Sequence, residues 1–156
     1  MLKALLFLAS ALLLTGAGHP ALYRDSSGRI AGRATQQGNR TVYRDGQGRM
    51  LGSGTQQGNR TIYRDSSGRI SGTAQKQGSR TVYRDGQGRI VGSSTTHGSR
   101  TVYRDASGRI KNTANVQGNR TVYRDGQGRY KGSGTPASTQ PYRDTFGMSR
   151  GKQQKK

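Results

Sequence analysis

Arginine stands immediately before every acidic residue of this 156-residue chain: Arg24-Asp25, Arg44-Asp45, Arg64-Asp65, Arg84-Asp85, Arg104-Asp105, Arg124-Asp125 and Arg143-Asp144, with glutamate absent. A carboxylate recruited for acid–base catalysis has an environment of its own, which moves its pKa away from that of its neighbours. These seven are copies of one another, so the pattern speaks for a repeated structural carboxylate. Calcium gathers about six to eight oxygen ligands, and one carboxylate per copy ringed by guanidinium groups makes a poor cage for it. His19 and His97 have no copies and no partners, cysteine is missing, and neither G-x-S-x-G nor a glycine-rich phosphate loop with its lysine occurs. The reading is therefore of a non-enzymatic protein without metal or cofactor.

The arginines carry a different chemistry. They recur at three positions: after the tyrosine, at Arg24, Arg44, Arg64, Arg84, Arg104 and Arg124; after a glycine, at Arg29, Arg49, Arg69, Arg89, Arg109 and Arg129; and before a threonine, at Arg40, Arg60, Arg80, Arg100 and Arg120. Each guanidinium is a planar fork suited to phosphate, sulfate or carboxylate. The formal net charge is +20, and a cationic surface of this kind attracts anionic polymers in a salt-dependent way. The expected partners are anionic polysaccharide, lipopolysaccharide, extracellular nucleic acid or anionic lipid head groups. The competing reading gives the charge a simpler task, keeping a repetitive β protein soluble and its edges unpaired.

What positions these groups is a sentence of 20 residues, Y-R-D-x-x-G-R-φ-x-G followed by a polar run and G-[NS]-R-T-[VI], opening at Tyr23, Tyr43, Tyr63, Tyr83, Tyr103 and Tyr123. A fixed period of this length marks a repeat architecture. Two breaks punctuate each copy. At the first, Asp25 and Gly28, Asp45 and Gly48, Asp65 and Gly68, Asp85 and Gly88, Asp105 and Gly108, and Asp125 and Gly128 fit a type I turn closed by a left-handed glycine, with the aspartate accepting from the turn backbone. Gln37-Gly38-Asn39 and its equivalents reverse the chain at the other end. The segments between, such as Arg40-Thr41-Val42-Tyr43-Arg44, are rich in β-formers. Each copy is thus a hairpin, and the fold class is all-β: tandem hairpins in an elongated antiparallel meander or solenoid.

With a regular ladder through the hairpin, Asp45 faces Arg49, Tyr43 faces Leu51 and Val42 faces Gly52. Thr41, Tyr43, Asp45, Arg49 and Leu51 then share one face, and Arg40, Val42, Arg44, Met50 and Gly52 the other. Tyrosine is assigned to packing, and the Val/Ile face, thinned by glycine, to contact with another layer. The turn pairs alternate between Ser26-Ser27 and Gly46-Gln47 types, which duplication of a 40-residue unit explains.

Ahead of the repeats, Lys3 and the apolar run Ala4 to Leu14, followed by small residues, read as a signal peptide over 1–18, with 19–22 a short linker. Six repeats occupy 23–134, a degenerate copy 135–150 and a basic disordered tail 151–156. Removing the leader takes Lys3 from the +20 total and leaves +19. No stable membrane span remains after cleavage, and the localisation expected is periplasmic, cell-surface or secreted. Apolar residues make up 28% of the chain and crowd into the leader, so the repeats hold little from which to build a core.

The string Y-x-D-x-x-G-R-[IM] with its intervening G-[NS]-x-T resembles the YD repeat of the RHS family, from Tyr23 to about Gly132. The insertion of Arg24, Arg44 and their equivalents between Tyr and Asp departs from that pattern. The resemblance implies a β architecture, export and carbohydrate binding. Gln36-Gln37-Gly38-Asn39 and Gln56-Gln57-Gly58-Asn59 are similar to the strand-turn-strand units of curli-type functional amyloid subunits, which implies the alternative: self-assembly, with homo-oligomers formed through end strands.

Overall fold

The computed structural model describes residues 21–135, and there the chain alternates between two kinds of strand. The odd ones are β1 (Ala21–Asp25), β3 (Arg40–Asp45), β5 (Arg60–Asp65), β7 (Arg80–Asp85), β9 (Arg100–Asp105) and β11 (Arg120–Asp125); the even ones are β2 (Ile30–Gln37), β4 (Met50–Gln57), β6 (Ile70–Gln77), β8 (Ile90–His97), β10 (Ile110–Gln117) and β12 (Tyr130–Thr135). The strands begin two residues before the first tyrosine, so Ala21 and Leu22, read as linker, belong to β1. The proposed leader and tail lie outside the described residues.

Turn chemistry decides both reversals. At the aspartate end, the Asp25 N–H donates to the Arg29 carbonyl and the Gly28 N–H to the Asp25 carbonyl, each at 3.0 Å, with Gly28 at φ +81°. That is the expected type I turn with a left-handed glycine. At the other end Gln37 and Arg40 lie opposite each other, which leaves a two-residue loop, Gly38-Asn39. Gly38 has φ +59° and, among the described residues, no non-glycine residue has positive φ, so this is the type II′ turn, whose sense of twist matches that of the strands it joins.

The hairpin ladder is not regular, and this corrects the side-chain sorting expected from the sequence. Arg44 lies opposite Met50, but Tyr43 lies opposite Gly52 and Val42 opposite Ser53. Leu51 is an extra residue, a β-bulge, and it moves everything beyond it to the other face. Glycine therefore opposes tyrosine rather than valine, and shares its face. The same shift follows the other aspartate turns, between Tyr23 and Arg24, Tyr63 and Arg64, Tyr83 and Arg84, and Tyr123 and Arg124.

Bulges bend a strand and increase its twist, and here one recurs in every aspartate hairpin. The sheet curls until β12 meets β1, with Leu22 opposite Thr135, Tyr23 opposite Gly134, Arg24 opposite Ser133 and Asp25 opposite Gly132. The result is a closed barrel with strand order β1-β12-β11-β10-β9-β8-β7-β6-β5-β4-β3-β2. An elongated meander or solenoid is thus replaced by a ring. The physical reason is that strongly twisted sheets rarely run beyond about ten strands without curling, and closure removes both edges.

The lumen explains how so few apolar residues suffice. Tyr63, Tyr83, Tyr103 and Tyr123 are wholly buried, as is nearly all of Tyr23, and Ala34, Ala74 and Ala114 are buried with them. Bulky rings come from the odd strands; small residues from the even strands make room, Gly54 opposite Tyr63, Ala74 opposite Tyr83, Ser94 opposite Tyr103 and Ala114 opposite Tyr123. Alternating large and small residues lets rings from neighbouring strands share the interior. Inside, the Tyr83 hydroxyl pairs with the Ser94 hydroxyl at 2.8 Å. Tyrosine is packing, as read from the sequence.

Candidate anion-binding rim

Every odd strand ends in aspartate, so six aspartate hairpins stand side by side at one end of the barrel, while Ala21 and Thr135 lie at the other. Each aspartate ties its own turn. Asp25 Oδ1 accepts from the Ser27 N–H at 2.9 Å and the Arg29 N–H at 3.0 Å; Asp45 does the same with Gln47 and Arg49, and the other four repeat the pattern.

Alternation of the turn residues has a structural counterpart beyond duplication. In serine hairpins, Ser27, Ser67 and Ser107 donate their hydroxyls to the aspartate at 2.6 to 2.7 Å. In glycine hairpins no hydroxyl is available, and the arginine after the turn takes the second oxygen: Arg49, Arg89 and Arg129 donate Nε to Asp45, Asp85 and Asp125 at 2.8, 2.8 and 2.7 Å. Glycine is needed there because the turn presses on the preceding even strand. A Cβ at Gly86 would stand 2.7 Å from the Ile70 carbonyl oxygen. The ion pair expected between Asp and the following Arg is thus formed in every second hairpin.

All six carboxyls are held below the usual carboxylate range. For Asp25, Asp65 and Asp105 the main cause is the serine hydroxyl, with burial opposing it and the turn N–H groups assisting. For Asp125 it is Arg129. For Asp45 and Asp85 burial pushes upward, and the arginine and backbone donors together outweigh it. A carboxyl that titrates lower when folded than the ~3.9 of an unfolded aspartate stabilises the fold fully above that pH, and its contribution vanishes as pH falls through the folded value. The melting temperature is therefore expected to hold steady down to about pH 4 and to fall below it. Thermal melts followed by circular dichroism test this; a midpoint unchanged at about pH 2 contradicts it.

The arginines after the tyrosines are held in one pose. Arg24 donates Nη1 to the Gly28 carbonyl at 2.9 Å, and Arg44, Arg64, Arg84, Arg104 and Arg124 do the same to Gly48, Gly68, Gly88, Gly108 and Gly128 at 2.9 to 3.0 Å. That uses one of the five N–H donors of the guanidinium. Arg49, Arg89 and Arg129, fixed at Nε, turn their forks to solvent with side chains 67%, 73% and 74% exposed. Arg29, Arg69 and Arg109 are exposed beside them. Adjacent odd strands are two strand spacings apart, so equivalent guanidiniums follow each other around the rim at roughly 10 Å.

From the sequence the arginines form a single set, and the barrel divides them. Twelve stand at the aspartate-hairpin end. Arg40, Arg60, Arg80, Arg100 and Arg120 begin their strands at the opposite end, also exposed, with Arg40 reaching Ser53 Oγ at 3.4 Å and Arg120 the Tyr130 hydroxyl at 3.1 Å. A cation that the repeat pattern does not contain stands beside the aspartate-end set: Arg33 lies directly opposite Arg44 and is exposed. The other copies carry serine or threonine there, and only its departure from the repeat could have drawn notice. The φ position also differs from expectation. Ile30, Met50, Ile70, Ile90, Ile110 and Tyr130 are 36% to 51% exposed on the outer wall, where no second layer covers them among the described residues.

No protein-family model and no curated protein matches the chain. Among solved structures it is similar to the X-ray structure of a protein from Arabidopsis thaliana, with a TM-score of 0.55 at 11% identity, covering 77% of this chain and 80% of that one. At that identity the likeness concerns the fold alone.

Proposed function

We propose that this chain is an exported, non-enzymatic β-barrel that binds anionic polymers at the cell surface or in its matrix: acidic polysaccharide, lipopolysaccharide or extracellular DNA. The observation that carries the reading is the identical anchoring of six guanidiniums, Arg24 to Arg124, by the glycine carbonyls of their own hairpins. Donors already fixed in place lose less freedom on binding than free side chains. Regular spacing suits a ligand whose charges also repeat, and multivalency multiplies weak single contacts. The apolar leader supports export, and the resemblance to YD repeats supports a carbohydrate.

Retention on a heparin column is expected to weaken steeply with salt, the log of affinity falling linearly with the log of salt concentration. Replacing Arg64 and Arg84 by Ala should flatten that slope by up to about one unit for each guanidinium removed. Retention indifferent to molar salt contradicts the reading. Self-assembly on the curli pattern is the rival outcome: with β1 and β12 paired, fibre growth requires that seam to open first, and cross-β fibres from the folded protein would favour it over polymer binding.

A further inference from the structure

The outer wall offers more than charge. The six exposed apolar residues open the even strands, and each lies directly opposite an anchored arginine: Ile30 opposite Arg24, Met50 opposite Arg44, Ile70 opposite Arg64, Ile90 opposite Arg84, Ile110 opposite Arg104 and Tyr130 opposite Arg124. Cation and apolar side chain thus alternate in a belt around the barrel. From this we infer that the belt docks on an anionic lipid surface, an inference that rests on the anion-binding reading above and extends it to a lipid ligand.

Isolated exposed apolar residues on a soluble protein need no explanation. Six at the same level, one per hairpin, are a different matter, because the repeat has placed them outside the lumen in every copy. A soluble polyanion uses the arginines and gains nothing from isoleucine. A lipid interface uses both, head-group phosphates meeting the guanidiniums while the apolar side chains enter the boundary beneath. The sixth copy puts tyrosine at the apolar position, a residue whose ring and hydroxyl suit a membrane–water interface. Charge complementarity points the same way, with twelve arginines against six aspartates at this end. Ala21 and Thr135 leave from the opposite end, so the described chain does not obstruct the belt. Because six arcs are equivalent, any part of the wall can face the surface, and the largest effect comes from changing them all.

The test uses the whole protein and a belt variant carrying Ile30→Thr, Met50→Thr, Ile70→Thr, Ile90→Thr, Ile110→Thr and Tyr130→Thr, chosen because threonine keeps β propensity. Each is titrated with vesicles of equal parts phosphatidylglycerol and phosphatidylcholine, with phosphatidylcholine vesicles alone, and with soluble heparin. The parent is expected to prefer anionic vesicles, and the variant to lose at least about tenfold of that affinity while holding heparin unchanged. If the full variant does not melt cooperatively, the triple variant Ile70→Thr, Ile90→Thr, Ile110→Thr replaces it, with a loss of at least about twofold expected from the halved number of intact arcs. Vesicle affinity unchanged by these substitutions overturns the inference, as does a parent that binds neutral vesicles equally well. Heparin binding without vesicle binding overturns the lipid inference and leaves the polymer reading standing; loss of both overturns the two together.

Discussion

Excising residues 61–80, one complete copy, is expected to abolish the monomeric fold, although it leaves no foreign junction. Gly58-Asn59-Arg60 would run directly into Thr81-Val82-Tyr83, repeating a sequence the chain already contains. In an open solenoid such a deletion removes one unit and one interface, and the remainder stays folded with a modest loss of stability. In a closed barrel it changes the strand number from twelve to ten. At fixed tilt the diameter grows linearly with strand number, so the cross-section would shrink by about 30%. The tyrosines filling it would fall by only one in six, and they are already tightly enclosed, four being fully buried. Overpacking of that order costs more than a small domain can bear. Size-exclusion chromatography and thermal melts decide the matter: loss of the cooperative transition, or passage into multimers that regain twelve-strand closure, is expected. A monomer melting within a few degrees of the parent would show that closure does not govern stability.

The second large effect concerns the lumen. Tyr103 is wholly buried, and truncating it to alanine is expected to cost about 3–5 kcal/mol, as for other large aromatic side chains. Phenylalanine in its place keeps the ring and should cost only about 1 kcal/mol for the lost hydroxyl. The same burial makes the barrel fragile in alkali. Desolvation raises the Tyr43 hydroxyl far above its usual value, Tyr83 to about 12, and Tyr103 well upward, the last also through four neighbouring tyrosines. A group whose folded pKa lies above its unfolded value stabilises the fold fully below the unfolded value, about 10 for tyrosine, and that contribution drains away as pH rises through the folded one. Each such tyrosine removes up to about 1.4 kcal/mol per pH unit over that window, so three together remove about 4. Absorbance from the buried tyrosinates should therefore lag until the barrel unfolds and then rise together with the loss of the β-sheet signal. Smooth titration of all tyrosines near pH 10 in a still-folded protein would contradict a sealed core.

Local chemistry was legible in the residues because turns are short-range objects. Asp25 and Gly28, and Gly38 with its neighbour, fix both reversals by their own conformational preferences, and the strand between them follows from its β-branched and aromatic content. The common face of Thr41, Tyr43 and Asp45 was legible too, since they lie before the irregularity. Beyond Met50 the expected sorting fails, because Leu51 differs in nothing visible from a regular strand residue; that it is extra depends on how the neighbouring strand pairs. Closure lay deeper still. It is the sum of small bends added around the whole ring, and no single copy contains it. The division of the arginines into two ends already follows from the two turns, whereas the placement of Ile70 outside the wall follows from that sum, so the site could be named residue by residue without its shape.

The seam between β1 and β12 has the register of an ordinary hairpin: Tyr23 sits opposite Gly134 as Tyr43 sits opposite Ala34, and Leu22 opposite Thr135 as Val42 opposite Thr35. Only the connecting turn is missing there, and the pairing forms regardless. The fold consequently has no privileged origin. A peptide carrying one serine hairpin and one glycine hairpin would contain every kind of contact the molecule uses, and three such peptides would build by association what this gene encodes in a single piece. Copies per chain and chains per particle become interchangeable, constrained only in that their product remains six.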